Sequence, residues 1–247
     1  MKTLTFLLIT LLSGAIAGTI LGIINQALVE PYIERAIAFE AQNAIKEGQI
    51  INPTELADYR IWQKSGEIAA ATILGISTAS LFGIVFAYGR SSLFPHFNSN
   101  TKKALVLAGI IWFVLFFIPA IKYPANPPAV GDSETIYYRE SLYIGFVLIS
   151  GFSALALWYV YKKLQNKNIS TKAALAMLVL IYAAIITCAY LVLPANPDTI
   201  TAPIDLVQGF RIATAFTMSI FWGLLGVIFG LFWDKFKPHE TVEIATV

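Results

Sequence analysis

The sequence predicts an all-α integral membrane protein with about six transmembrane helices. Three observations carry that reading. First, 57% of the 247 residues are hydrophobic and only 13% are charged, whereas an average soluble domain carries roughly a quarter charged residues. Second, six long apolar runs punctuate the chain. Third, those runs lack the alternation of barrel strands, so only helices can satisfy the backbone in lipid. Six spans of about 20 residues use roughly half the chain. A soluble enzyme, a disordered chain and a disulfide-rich secreted domain are excluded by the same composition. The single cysteine allows neither an intramolecular disulfide nor a CxxC knuckle.

The runs are taken in order. The first covers 4–29. Lys2 and the Ala-Ile-Ala at 15–17 resemble a secretory signal, but the apolar stretch continues well past them, so a retained helix is expected. The second run covers 67–88, after a polar extracytoplasmic segment at 30–66. In that segment Tyr32, Ile33, Ala36, Ile37 and Phe39 recur at helical spacing, which fits an outer helix lying on the bundle. The third and fourth runs cover 104–121 and 142–161. The fifth and sixth cover 173–193 and 210–233, leaving a cytoplasmic tail at 237–247. The whole chain is read as one polytopic membrane domain.

Charge counting orients these spans. Both termini and the 2–3 and 4–5 loops carry ten Lys and Arg against three acids. The remaining loops and helix ends carry seven against twelve. The Lys and Arg bias places both termini in the cytoplasm of a multi-pass protein of the cell membrane and leaves the outer face acidic.

An internal pattern runs through the outer loops. Pro-Ala-Asn-Pro occurs at 124–127 and again 70 residues later at 194–197. Each copy follows an apolar helix and precedes an arginine that opens the next, Arg139 and Arg211. Asn52, Pro53 and Arg60 form a weaker echo. The pattern predicts three tandem parallel hairpins, at about 1–90, 101–163 and 171–236. Pro124, Pro127, Pro194 and Pro197 should stop their helices sharply. Arginine at a helix start opposes the dipole. Arg60, Arg139 and Arg211 therefore either tie down a neighbouring helix end or outer carboxylate, or shape an ion path.

Chemistry is sparse. His96 and His239 lie outside the spans, so a haem held between helices is not expected. Walker A, HExxH and GxSxG motifs are absent, and no catalytic or cofactor-binding residues are expected. Cys188, Met177 and Met218 read as ordinary apolar filler. Oxygen ligands for a cation cluster at the outer face. The metal-ligand candidates are Glu30, Glu67, Glu140, Asn126 and Asn196, within a wider set that includes Asn25, Gln26, Asp198 and Asp205. An acidic vestibule would concentrate divalent cations by its field; a solvated acidic rim with no site is the competing reading. Gly14, Gly18 and Gly22 in the first helix, and Gly226 and Gly230 in the last, let helix backbones approach closely, either within the chain or against a separate single-span partner.

The run Leu-Leu-Ser-Gly-Ala-Ile-Ala-Gly at 11–18, the stretch Phe-Ile-Pro-Ala-Ile-Lys-Tyr-Pro-Ala-Asn-Pro-Pro at 117–128, and Glu134 through Arg139 resemble the CbtA family of cobalt transporter subunits. The resemblance implies cobalt uptake linked to cobalamin synthesis. It also implies a small single-helix partner with a histidine-rich tail. Five spans are described for that family, and six are counted here. The leading expectation is a non-enzymatic membrane transporter component for a divalent cation, cobalt by resemblance. The alternative is a non-transporting scaffold subunit of a membrane complex.

Overall fold

In the computed structural model every regular element among the described residues is helical; these residues are 2–93, 97–128, 130–165 and 170–239. His96, Lys167 and the tail beyond 239 lie outside them. The eight α-helices are α1 (Thr3–Leu28), α2 (Glu30–Lys46), α3 (Pro53–Leu93), α4 (Asn100–Trp112), α5 (Ile118–Lys122), α6 (Ile136–Leu164), α7 (Thr171–Val192) and α8 (Ile204–Phe236). A π turn, Phe113–Phe117, joins α4 to α5. Six helical stretches are long and apolar enough to cross a membrane, with α4, the π turn and α5 forming one of them.

The outer segment at 30–66 differs from its sequence reading as a single loop. Only 47–52 is linker. Pro31 lies in the first turn of α2, where a missing N–H costs nothing. Asn52 Oδ1 accepts from Thr54 N (3.1 Å) and starts α3, which then runs unbroken from Pro53 into the second span. Asp58, Arg60 and Lys64 end the hydropathy signal there but do not end the helix. The amphiphilic face of α2 lies on the bundle as expected. Ala36 is fully buried, Tyr32 abuts Gly209 of α8, and Phe39 covers Val130, Ala202 and Val207.

Glycines set the tightest contacts. A Cβ on Gly75 of α3 would lie 2.2 Å from the Gly14 carbonyl of α1, and one on Gly18 would lie 2.3 Å from the Ala71 carbonyl. The first stripe is therefore used inside the chain. The same holds for α8, where a Cβ on Gly230 would lie 2.4 Å from Thr101 Cα of α4. Phe82, Phe86, Phe229 and Trp233 fill the end of this core nearest the two termini in edge-to-face pairs.

Helix order in space is α3, α1, α8, α4, α6, α7. The first two sequence hairpins pair as expected, α1 with α3 and the α4–α5 span with α6. The third pairing is different: α8 packs chiefly against α4 and α1, and α7 against α6. The small face of α8 fits Ala104 and Ala108 of α4, a match that loop similarity does not report.

Two polar devices lock the order. In the π turn Ile118 N–H reaches back to the Phe113 carbonyl. The Val114 carbonyl would next need the N–H of residue 119, which is Pro119 and has none. Ser150 Oγ of α6 donates to it instead (2.5 Å). With its proton so used, Ser150 accepts from Tyr182 OH of α7 (2.7 Å). At the end of the bundle that holds both termini the Asp234 carboxylate of α8 caps α4. It accepts from Asn100 N (3.2 Å), Thr101 N (3.0 Å), Asn100 Nδ2 (2.8 Å) and Thr101 Oγ1 (2.8 Å). Asp234→Ala is expected to cost about 1–2 kcal/mol, the upper range for a lost cap, read as a lower unfolding free energy of the detergent-purified protein.

Candidate functional site

The repeated prolines end α5 and α7 at the end of the bundle opposite the two termini, and the two loops that follow are tied to one another. Arg211, near the start of α8, donates to Asn126 Oδ1 from Nη2 (2.6 Å) and Nε (3.3 Å) in the loop after α5. Arg139, near the start of α6, pairs through Nε with Asp198 Oδ2 (2.9 Å) in the loop after α7. Each arginine thus holds the other repeat's loop. Tyr123 OH donates to the Pro194 carbonyl (2.5 Å) and adds a third tie.

Asp198 is saturated. It also accepts from Asp132 N (3.0 Å) and from Thr135 Oγ1 (2.7 Å). Arg139 further donates to the carbonyls of Val130 (3.2 Å) and Asp132 (2.9 Å). Gly131 sits between these groups at φ +98°, and a Cβ there would lie 2.5 Å from both Arg139 Nη1 and Asp198 Oδ2. A left-handed φ and this crowding both require glycine. The pairing of Asp198 with Arg139 was not legible in the sequence, since the two are 59 residues apart and belong to different repeats.

A second polar knot closes the α1–α2 corner. The break after α1 leaves the Glu30 side chain buried, where it accepts from Arg60 Nη2 of α3. Lys64 Nζ lies 3.7 Å from Glu30 and also pairs with Glu34. The Lys64 ammonium holds the Glu34 carboxyl below its ordinary value. Gln26 Nε2 donates to the Lys64 carbonyl (2.8 Å) and joins α1 to the same turn. Glu67 Oε2 and Asn25 Oδ1 are buried on these helices without a hydrogen-bond partner among the described residues.

Beside the first of these knots lies a cleft of about 710 Å³. It brings together Asn126, Asn196 and Glu140 from the sequence-predicted ligands, and adds Arg139, Tyr143 and Glu40 of α2. Glu30 and Glu67 do not line it. Glu40 and Pro128 also line a smaller hollow of about 420 Å³ that reaches Arg60 and Gln63. Among the described residues no three His, Cys, Asp or Glu side chains are grouped closely enough to hold a metal ion. The side-chain oxygens that a cation could meet in the cleft are therefore two exposed carboxylates and two amides. Asn196 Oδ1 accepts from Asp198 N (3.0 Å) and Asn126 Oδ1 from Arg211. An amide oxygen has two lone pairs, so each keeps accepting capacity.

No curated protein and no solved structure matches the chain. One family model does, described as probable cobalt transporter subunit (CbtA), and it covers residues 3–234. That match takes in all six spans, both proline loops and the cleft: the chain belongs to the CbtA family.

Proposed function

We propose that this protein is the membrane-embedded component of a cobalt uptake system serving cobalamin synthesis. The family match across residues 3–234 carries the reading, and six apolar helices supply the membrane setting. The protein acts as a carrier subunit and not as an enzyme. It sits in the cytoplasmic membrane with both termini inside, following the Lys and Arg bias.

The outer cleft is the place where a hydrated cation would be collected. Glu140 and Glu40 attract it, and Asn126 and Asn196 offer amide oxygen. Glu67 presents a further carboxylate oxygen where α3 enters the bundle. Arg139 and Arg211 hold the two loops so that the cleft keeps its shape. Glu30 has a shaping role here, because Arg60 and Lys64 already neutralise it. Imidazole nitrogen suits late first-row divalent metals. A small single-helix partner with a histidine-rich tail would supply it above the cleft.

The test is radiocobalt uptake by cells expressing the protein with its partner. Glu67→Gln/Glu140→Gln is expected to reduce uptake to background while the protein stays in the membrane. Unchanged uptake sinks the site assignment. Proteoliposomes then separate transport from a scaffold role: flux supports transport, whereas stable copurification in a larger complex without flux supports the scaffold.

A further inference from the structure

A third hollow lies in the other half of the bundle. It measures about 340 Å³ and its walls are almost wholly apolar. Leu81 and Val85 of α3 form one wall, and Ala154 and Trp158 of α6 the other. Ile110 of α4 and Trp222 of α8 form the floor. It persists because α3 and α6 flank α4 without packing closely on each other. In a bilayer such a groove is filled by hydrocarbon.

The charges at its mouth select among lipids. The hollow runs along 78–85 of α3, 107–115 of α4 and the π turn, and 151–158 of α6, about one turn short of the basic residues that follow in α3 and α6 and precede Leu107. Those helix ends carry Arg90, Lys102, Lys103, Lys162 and Lys163, and neither 84–115 nor 145–175 contains an Asp or Glu; the one acid packed against them is Asp234 of α8, whose carboxylate is taken up by Asn100 and Thr101. A positive-inside bias alone explains basic helix ends. It does not fix their side chains, yet Lys162 Nζ lies 4.3 Å from the ring centroid of Trp158, which lines the hollow. Lys163 is held similarly over Tyr159 (4.7 Å). Basic pockets between transmembrane helices bind anionic headgroups.

We propose that this groove holds an acyl chain of an anionic phospholipid whose phosphate is bound by Lys162 and the neighbouring basic residues. The lipid fills the gap between α3 and α6 and joins the α6–α7 pair to the rest of the bundle. The assignment is independent of the transported ion.

Native mass spectrometry of the detergent-purified chain, titrated with phosphatidylglycerol or with phosphatidylcholine of the same chains, tests it. Wild type is expected to retain phosphatidylglycerol preferentially. Lys162→Glu/Lys163→Glu should reduce that preference by roughly fivefold or more per lysine. Ala154→Phe, which fills the groove, should displace both lipids. Equal retention of the two lipids by wild type overturns the proposal. So does a preference that survives the double charge reversal, or a folded Ala154→Phe that binds as wild type. If Ala154→Phe does not fold, the charge reversal decides alone, since it changes only side chains at a solvated helix end.

Discussion

Glu30→Ala is expected to destabilise the protein by about 3–5 kcal/mol, because it strands a buried guanidinium. The Glu30 and Arg60 side chains are only 9% and 16% exposed. Removing one charge leaves the other desolvated without its counter-ion. Lys64 is 39% exposed and keeps its pair with Glu34, so its loss of Glu30 adds little, and as a second cation it cannot neutralise Arg60. Equilibrium unfolding in detergent micelles measures the effect. The double variant Glu30→Met/Arg60→Met supplies the control. Replacing both partners of a buried pair by apolar groups is often neutral or stabilising, so most of the lost stability should return. A single variant as stable as wild type would refute the buried pair. The double variant also separates shape from binding. If it folds and restores cobalt uptake, Glu30 acts by holding α1, α2 and α3 together. If it folds without uptake, the carboxylate itself meets the cation.

Gly75→Leu has the second largest expected effect. Overpacking costs about 1–3 kcal/mol when side chains can adjust. Here the added carbon meets the Gly14 carbonyl and Gly18 Cα of α1, and backbone has no rotamer to escape into. The cost should therefore reach the upper end, about 3 kcal/mol, with α1 displaced from α3. Gly109→Leu is the matched control, since a Cβ there meets nothing within 4 Å. It should stay within about 0.5 kcal/mol of wild type. Unfolding in micelles measures both, and equal behaviour of the two variants would show that the α1–α3 contact tolerates separation.

The legibility of the sequence differed between levels. Membrane class and span number were readable because hydropathy is a one-dimensional property: an apolar run of sufficient length has one stable place in a bilayer. Helix breaks were readable at Pro124 and Pro194 for an equally local reason. The start of α3 was not, because charged residues such as Arg60 and Lys64 mark the membrane boundary without interrupting a helix. The pairing of α8 with α4 depends on complementary small faces, which no loop motif records. Nor could the sequence say that Asp198 belongs to Arg139 and Asn126 to Arg211. The repeat suggested a tie to a neighbouring helix end or a carboxylate without naming the partner; in the structure Arg139 and Arg211 each reach the loop of the other repeat.

What the sequence determined by itself was therefore the membrane class, the number of helices able to span, and the family likeness. Each of these follows from local composition or from a short motif. Only the tertiary structure decided how the polar side chains of the loops and helix ends are engaged. It committed Glu30 to Arg60 and Asp198 to Arg139, and it left Glu140, Glu40, Asn126 and Asn196 around one cleft. A carboxylate's availability depends on the cation brought beside it. Here those cations come from residues 30 and 59 positions away, delivered by helix packing.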